Sequence, residues 1–385
     1  MQPPWTQKVD FSAKPIFVCW ETTKACLLSC RHCRATAIRS KLPGELDFES
    51  GLRLIDRILE FGEPYPALLL TGGDPLTRAD LADLLRYAKD RGVYTAVAAS
   101  VTPLLDRRRM EQFKELGVQV VSVSLDGERA EVHEGIRNTP GTFDATLEAI
   151  RTAAELGLRL QVNTTIMRSN LRGLADIFHL VRERGAVAWE AFFLIRTGRG
   201  SALESLEPWE CEEVTHFLYE ATRYGIPVRT SEGPHFRRVF IQRRDGSPPP
   251  DGELYRHLTN RLRELEGEGR NEPYLRLNAT GDGRGIVFVA HDGEIYPSGF
   301  LPISLGNVTR DNLRTVYSTH PLLLDLRNPE KLKGRCGVCE HKVICGGSRS
   351  RAYAESRDLF EEDPACAYVP SGSKAPAARE AAYPV

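Results

Sequence analysis

Short apolar runs and helical repeats alternate along the first 200 residues. The apolar runs are bounded by polar residues and have the length and composition of buried strands; they cover residues 15–20, 67–71, 94–99, 118–125, 159–166 and 187–194. Between them, apolar side chains recur every three or four positions, as Leu52, Ile55 and Leu59 do. That spacing predicts a helix after each strand.

Strands that alternate with helices form a parallel sheet with the helices outside. The pattern therefore predicts the α/β class and a partial (β/α)6 barrel of the TIM-like kind. In such barrels the functional residues gather at the carboxyl ends of the strands. In this chain, a cysteine-rich loop and several polar residues directly follow the predicted strands, at those ends.

Three cysteines follow the first predicted strand at the spacing C-x3-C-x2-C: Cys26, Cys30 and Cys33. Thiolates are the usual ligands of iron–sulfur clusters, and three of them leave one iron of a four-iron cube open for chemistry. The spacing alone fits a zinc site equally well, with His32 as the fourth ligand.

A second group of cysteines lies near the C-terminus and comprises Cys336, Cys339, Cys345 and Cys366. Four thiolates close either a 4Fe–4S cluster or a structural zinc site. We therefore expect a small cysteine-rich metal domain after the barrel. Cys19 and Cys211 stand apart from both groups and are expected to be small buried side chains.

Other candidate residues end the predicted strands. Gly72, Gly73 and Asp74 follow the second strand, and the later strands end in Ser124, Asp126, Asn163 and Thr165. Glycines let a backbone approach a ligand closely, although the same string is also typical of a plain turn. Polar residues at these positions also cap helices and turns.

With the cysteine loop and this glycine turn in place, the chain resembles the radical S-adenosylmethionine (SAM) enzymes. The resemblance implies that the three cysteines hold a 4Fe–4S cluster whose open iron chelates SAM, and that an electron cleaves SAM to a 5′-deoxyadenosyl radical. It also implies SAM contacts, without any catalytic residue beyond the cluster, for Gly72, Gly73, Asp74, Ser124, Asp126, Asn163, Thr165, His32 and Arg137. Asp74 stands where the family more often has Glu.

The four C-terminal cysteines resemble the SPASM extension of that family, which carries auxiliary clusters. Many SPASM members have a cysteine directly after the residue that is Pro297 here, and this chain has Ser298. We therefore expect one auxiliary 4Fe–4S cluster. The combination is similar to the tetrapyrrole-modifying branch, the heme b synthases that decarboxylate iron-coproporphyrin III.

The resulting domain organisation has five parts. We expect an N-terminal arm (1–14), the barrel (15–200), a helical connector or insert (201–275), the SPASM-like domain (276–370) and a disordered tail (371–385). Arg196 and Arg199 follow the last barrel strand and are candidates for binding propionates.

The expected function is thus hydrogen abstraction from a tetrapyrrole side chain, with oxidative decarboxylation. One alternative is maturation of a ribosomally made peptide, although residues 1–14 are too short for a separate recognition domain. Another alternative, from a different class, is a non-catalytic zinc protein. A flavodoxin or ferredoxin is the expected electron donor.

The net charge and the apolar runs of the chain limit which partners and which cellular compartment we expect. The formal net charge of −1 gives no reason to expect nucleic acid or an anionic membrane surface as a partner. The chain lacks both an apolar run of membrane-spanning length and a signal peptide's apolar segment. We expect a cytoplasmic protein whose cysteines stay reduced.

Overall fold

The computed structural model describes residues 9–275 and 280–373; the remainder of the predicted arm and tail lies outside this range. One sheet runs through the molecule. Its strands are Phe17–Glu21 (β1), Ala67–Thr71 (β2), Thr95–Ala98 (β3), Val120–Ser124 (β4), Leu160–Ile166 (β5), Ala188–Phe193 (β6), Val228–Ser231 (β7), Ile286–Val289 (β8), Glu294–Tyr296 (β9) and Gly306–Asn307 (β10). Across the sheet they follow the order β10-β9-β8-β1-β2-β3-β4-β5-β6-β7.

Strands β1 to β6 lie side by side in chain order and are parallel. This confirms the predicted α/β class and the open, partial barrel. The alternation along β5 shows how its faces are used: Leu160, Val162 and Ile166 are buried, while Asn163 and Thr165 are half-buried on the opposite face. Because side chains alternate along a strand, the two polar residues share one face.

Two further parallel strands flank these six. β7 pairs with β6 inside the predicted helical connector, where the sequence indicated no strand. β8 was expected in the C-terminal domain, and it pairs with β1, with Val18 opposite Val287. The sheet is therefore continuous across residues 200 and 276, and the division into domains stays a prediction.

Helices cover the outer side of the sheet. In α1 the side chain of Asp47 accepts a hydrogen bond from the Ser50 N–H at 2.8 Å, and Leu54, Ile55 and Ile58 are buried on one face. The helices are Phe48–Leu59 (α1), Leu81–Asp90 (α2), Arg107–Glu115 (α3), Ala130–Arg137 (α4), Thr142–Glu155 (α5), Leu174–Glu183 (α6), Pro208–Ala221 (α7), His235–Arg244 (α8), Glu253–Glu266 (α9), Leu313–Thr319 (α10), Pro321–Arg327 (α11), Gly334–Val338 (α12) and Arg349–Ser356 (α13).

The connector is a packed part of the molecule. Leu254, Leu258 and Leu262 of α9 are buried, and this helix lies against α6 and α7. The expected helical connector or insert is therefore packed against the helices that cover the sheet. None of the helices within residues 9–275 and 280–373 is long and apolar enough to cross a membrane.

Candidate active site

A cavity of about 240 Å³ lies where β1 to β6 end at their carboxyl edge. Its wall combines the three thiols of the cysteine loop with backbone and side chains from the strand ends. Of the residues expected to contact SAM, the cavity is lined by Gly72, Gly73, Ser124, Asn163, Thr165, His32 and Arg137. Asp74 and Asp126 lie behind the wall, fully buried.

The cysteine loop is compact and largely enclosed. Cys26 and Cys30 are buried and Cys33 is half-buried. The Cys26 N–H donates to the Ile38 carbonyl at 2.7 Å, and the Leu28 N–H donates to Cys26 Sγ at 3.4 Å. Burial raises the pKa of the Cys26 thiol. Binding a metal reverses that preference, because the ligand is the thiolate.

Arg199 holds this loop through hydrogen bonds to its backbone. Its Nε donates to the Cys30 carbonyl at 2.8 Å and its Nη1 to the Ala37 carbonyl at 3.1 Å. The Arg199 backbone N–H donates to the Cys33 carbonyl at 3.0 Å. Arg199 therefore holds the loop, while its Nη2 is buried without a hydrogen-bond partner in the described residues, and its expected role with propionates stays a prediction.

Arg196 does not line the cavity. Its side chain is 41% exposed and lies 3.7 Å from Glu355 in an ion pair. We expected Arg196 to bind a propionate in the site, but its side chain lies outside the cavity.

The glycine pair lets the second loop lie directly on the cysteine loop. A Cβ on Gly72 would be 2.5 Å from the Thr23 carbonyl oxygen, and a Cβ on Gly73 would be 2.3 Å from that of Ala25. The Gly73 N–H donates to the Thr23 carbonyl at 2.7 Å. Any side chain here would push the two loops apart.

Asp74 shapes the turn that follows. Its carboxylate accepts hydrogen bonds from Leu76 N–H at 3.1 Å, Ser100 N–H at 3.4 Å and Thr102 Oγ1 at 3.3 Å. Burial raises the pKa of Asp74 to about 6 despite these donors. Asp74 thus lies behind the cavity wall, and its contact with SAM stays a prediction.

Asp126 anchors Arg137 beside a cluster thiol. Arg137 Nη2 lies 2.5 Å from Asp126 Oδ2, and Arg137 Nη1 donates to Cys30 Sγ at 3.6 Å. Burial acts to raise the pKa of Asp126, but Arg137 and His32 hold it below its ordinary value. The pair keeps a guanidinium charge next to the thiol, where it favours a thiolate.

His32 presents an unused nitrogen to the cavity. Burial lowers its pKa to about 4, so the ring is neutral near pH 7. Its Nδ1 is buried without a hydrogen-bond partner in the described part of the chain, and its Nε2 lies 3.9 Å from Asp126 Oδ2. A buried polar atom of this kind is expected to have a partner, which points to a ligand in the cavity.

Arg34 and Phe300 also line the cavity, and no pattern in the sequence pointed to either residue. Arg34 Nη1 donates to Glu21 Oε1 and to the Gly299 carbonyl, both at 3.3 Å. Its guanidinium carbon lies 4.6 Å from the centroid of the Phe288 ring. These contacts join residues far apart in the chain, so they follow only from the fold.

The four C-terminal thiols line a second, much smaller cavity of about 20 Å³. Burial raises the pKa of Cys345 to about 12 and that of Cys366 to about 11. Cys336 Sγ accepts from the Asp363 N–H at 3.4 Å, and Cys339 Sγ accepts from the His341 N–H at the same distance. Backbone donors around buried thiols are a setting that suits sulfur ligands of iron.

Ser298, which stands at the usual position of a further ligand, lies away from this cavity. It is buried, and its hydroxyl lies 3.3 Å from the Ser350 hydroxyl. The Ser350 hydroxyl in turn donates to Asp282 at 2.8 Å. The residue thus belongs to a local hydrogen-bond network, in keeping with one auxiliary cluster.

Thiols line both cavities. In the described residues, no three Cys, His, Asp or Glu side chains are close enough to share a single metal ion. A zinc ion needs four donors within about 2.3 Å, whereas a cube takes each thiolate at a separate corner. Thiols beside a cavity at the carboxyl ends of parallel strands are a donor set that suits an iron–sulfur cluster, which is the class of site that the fold and the first cavity indicate.

Comparisons with known proteins agree. The model of the Radical SAM superfamily matches residues 20–181. The AdoMet-dependent heme synthase of Methanosarcina barkeri is 35% identical over 359 residues, which are 92% of this chain and 97% of the relative. That of Oleidesulfovibrio alaskensis is 35% identical over 367 residues, 94% of this chain and 89% of the relative. The chain belongs to the radical SAM superfamily.

The fold is shared with solved members. The structure of native anSMEcpe with bound AdoMet superposes with a TM-score of 0.66 at 17% identity, covering 91% of this chain and 93% of that one. Membership makes this protein an enzyme whose cofactors are a 4Fe–4S cluster and SAM. The alternative of a non-catalytic zinc protein is therefore wrong.

Proposed function

We propose that this enzyme decarboxylates propionate side chains of iron-coproporphyrin III in a heme-forming reaction. One observation carries the proposal: two AdoMet-dependent heme synthases match about nine-tenths of the chain at 35% identity. The cavity supports it, because backbone and polar side chains from the strand ends line an open space directly beside the three thiols.

Cys26, Cys30 and Cys33 are the proposed ligands of the SAM-binding cluster. All three line the large cavity, and the charge of Arg137 beside Cys30 favours the thiolate. A cluster held there would supply, with SAM bound, the radical chemistry that abstracts hydrogen. The protein orders the loop through Arg199 and keeps it enclosed.

The proposed SAM contacts fall into two groups. The backbone at Gly72 and Gly73 and the free nitrogen of His32 face the cavity near the cysteine loop. The polar side chains of Ser124, Asn163, Thr165 and Arg137 line its wall farther on and offer hydrogen bonds to ribose and carboxylate oxygens. Asp126 acts by holding Arg137, and Asp74 acts by shaping the turn.

Arg34 is the proposed partner of a substrate propionate. Arg34 lines the cavity, and in the described residues it makes hydrogen bonds only through Nη1, which also pairs with Glu21. Its other nitrogens are left to bind a carboxylate, and the rings of Phe288 and Phe300 beside its guanidinium offer an apolar surface to a tetrapyrrole.

The reaction is balanced by an electron acceptor. A propionate that loses one hydrogen atom, carbon dioxide and one electron becomes a vinyl group: a C–H bond and the C–C bond to the carboxylate break, and a C=C bond forms. Cys336, Cys339, Cys345 and Cys366, which line the small cavity, would hold an auxiliary 4Fe–4S cluster that could accept this electron. A flavodoxin or ferredoxin is the proposed donor of the electron that starts each turnover.

The experiment is anaerobic incubation of the reconstituted enzyme with SAM, a reductant and iron-coproporphyrin III, followed by mass spectrometry. Stepwise loss of one hydrogen and one carboxyl group from each of two propionates is expected, with formation of 5′-deoxyadenosine. SAM cleavage without any change in the porphyrin would contradict the substrate and would favour a peptide substrate instead. The matched control omits SAM.

A further inference from the structure

His235 is buried in the interior without a hydrogen-bond partner. It is 1% exposed, and neither ring nitrogen is bonded to any described residue. Buried polar side chains nearly always have a partner, so this imidazole is expected to meet a group that the protein chain does not supply.

One side of His235 lines the small cavity with the four thiols. Arg238, one helical turn farther along α8, lines the same cavity, and its Nε is also buried without a partner in the described range. The charge of Arg238 lowers the pKa of Cys345 and Cys366 against the dominant effect of burial. Two N–H donors of one helix thus lie at the auxiliary site.

The other side of His235 touches the large cavity's wall. The centroids of the His235 and Phe193 rings are 4.9 Å apart in an edge-to-face arrangement, and Phe193 lines the large cavity. Gly233 allows this contact, because a Cβ there would lie 2.5 Å from the Phe193 ring. Two side chains in contact, His235 and Phe193, therefore connect the small cavity with the wall of the large one.

We propose that His235 is a positioning residue of the auxiliary cluster: one ring N–H donates a hydrogen bond to a cluster or cysteinyl sulfur, and its ring packs on Phe193 at the wall of the active site. The inference rests on the proposed auxiliary cluster.

The chemistry of the ring fits this role. An imidazole carries at least one ring N–H donor in either protonation state. A hydrogen bond donated to sulfur stabilises the reduced cluster, which carries one more negative charge, and so raises the reduction potential. The cluster thereby becomes a better acceptor for the electron released when carbon dioxide leaves the substrate.

The test measures the auxiliary cluster itself, in the full-length enzyme with both clusters and without porphyrin. Addition of SAM identifies the signal of the first cluster, and a redox titration followed by EPR gives the potential of the other. We expect His235→Phe to lower that potential and His235→Gln, which retains an N–H donor, to restore most of it. His341→Phe is the matched control, because its backbone N–H to Cys339 Sγ is retained.

A second measurement needs no unstable variant. With histidine labelled by ¹⁵N in the ring, pulsed EPR of the wild-type auxiliary cluster should show nitrogen coupling that persists in His341→Phe and disappears in His235→Gln. Absence of that coupling in wild type, or an unchanged potential in an iron-replete His235→Phe, would overturn the inference. Failure to convert porphyrin with these signals intact would overturn only the proposed substrate.

Discussion

The two cysteine groups line cavities that differ in size and in what surrounds the thiols. The cavity at the strand ends measures about 240 Å³, and its three thiols share a wall with glycines, hydroxyls and amides. The C-terminal cavity measures about 20 Å³, and its four thiols face His235 and the two arginines Arg238 and Arg335. The cavity at the strand ends has room for a small molecule next to its thiols. The C-terminal cavity has no such additional room. We infer chemistry at one and electron transfer at the other.

Removing one thiol from each site is the strongest test of this difference. Cys30→Ala should reduce SAM cleavage to background, because a cube without its third protein ligand is not held in the large cavity. Cys345→Ala should retain SAM cleavage while decarboxylation stops. Chromatography of 5′-deoxyadenosine and iron analysis measure both, with a loss of about four irons of about eight in each variant.

The opposite pattern would break the comparison. If Cys345→Ala also abolished SAM cleavage while the protein kept four irons, the C-terminal site would be part of the catalytic centre. Full decarboxylation by that variant would remove its electron-transfer role.

The glycine pair gives the next largest effect. Gly73→Ala places a Cβ 2.3 Å from the Ala25 carbonyl oxygen, which is backbone and cannot move aside alone. We expect a loss of about 2–4 kcal/mol in unfolding free energy and of most iron at the first site. Chemical denaturation and iron analysis measure the two effects.

Gly135→Ala is the matched control. Gly135 lies in α4, and a Cβ there meets no atom within 4 Å. It should match wild type or gain up to about 1 kcal/mol, since alanine favours a helix over glycine. Equal stability of the two variants would mean that the loops can separate freely.

The sequence was sufficient to predict strands β1 to β6, but not the strands that extend the sheet on either side of them. Apolar runs predicted β1 to β6, but β7 has a single fully buried residue, Val228, and leaves no such run. The pairing of β8 with β1 joins strands at opposite ends of the chain, which no local pattern encodes. Spacing likewise drew attention to the cysteines, whereas the hydrogen bonds of Arg199 to the cysteine loop and the His235 contact depend on how distant segments meet.

Arg34 tests what the large cavity binds. Arg34→Ala should raise KM for iron-coproporphyrin III by about 10- to 100-fold, the value of one charge-assisted hydrogen bond, and leave SAM cleavage nearly unchanged. Arg196→Ala, on an exposed side chain outside the cavity, is the control and should keep the wild-type KM. Equal KM values for both variants would show that the propionate lies elsewhere.

Asp74 is expected to leave activity at neutral pH least affected, and it separates structure from chemistry within the large cavity. Burial raises its pKa from the ordinary value of 3.8 to about 6. Between these values the folded protein binds a proton that the unfolded chain does not, so the stability contributed by this group is complete below pH 3.8 and is lost as the pH rises through 6. The substitution Asp74→Asn keeps the shape of this side chain, and the amide cannot ionise.

The stability of Asp74→Asn relative to wild type should therefore improve by up to about 3 kcal/mol as the pH rises from 4 to 7. Urea unfolding midpoints at several pH values measure this difference, and any constant cost of the amide cancels because only its pH dependence is compared. A difference that stays flat with pH would mean that Asp74 is ionised normally and reaches solvent or a cation. In that case its carboxylate faces the cavity, where a direct contact with the SAM amino group becomes the better interpretation.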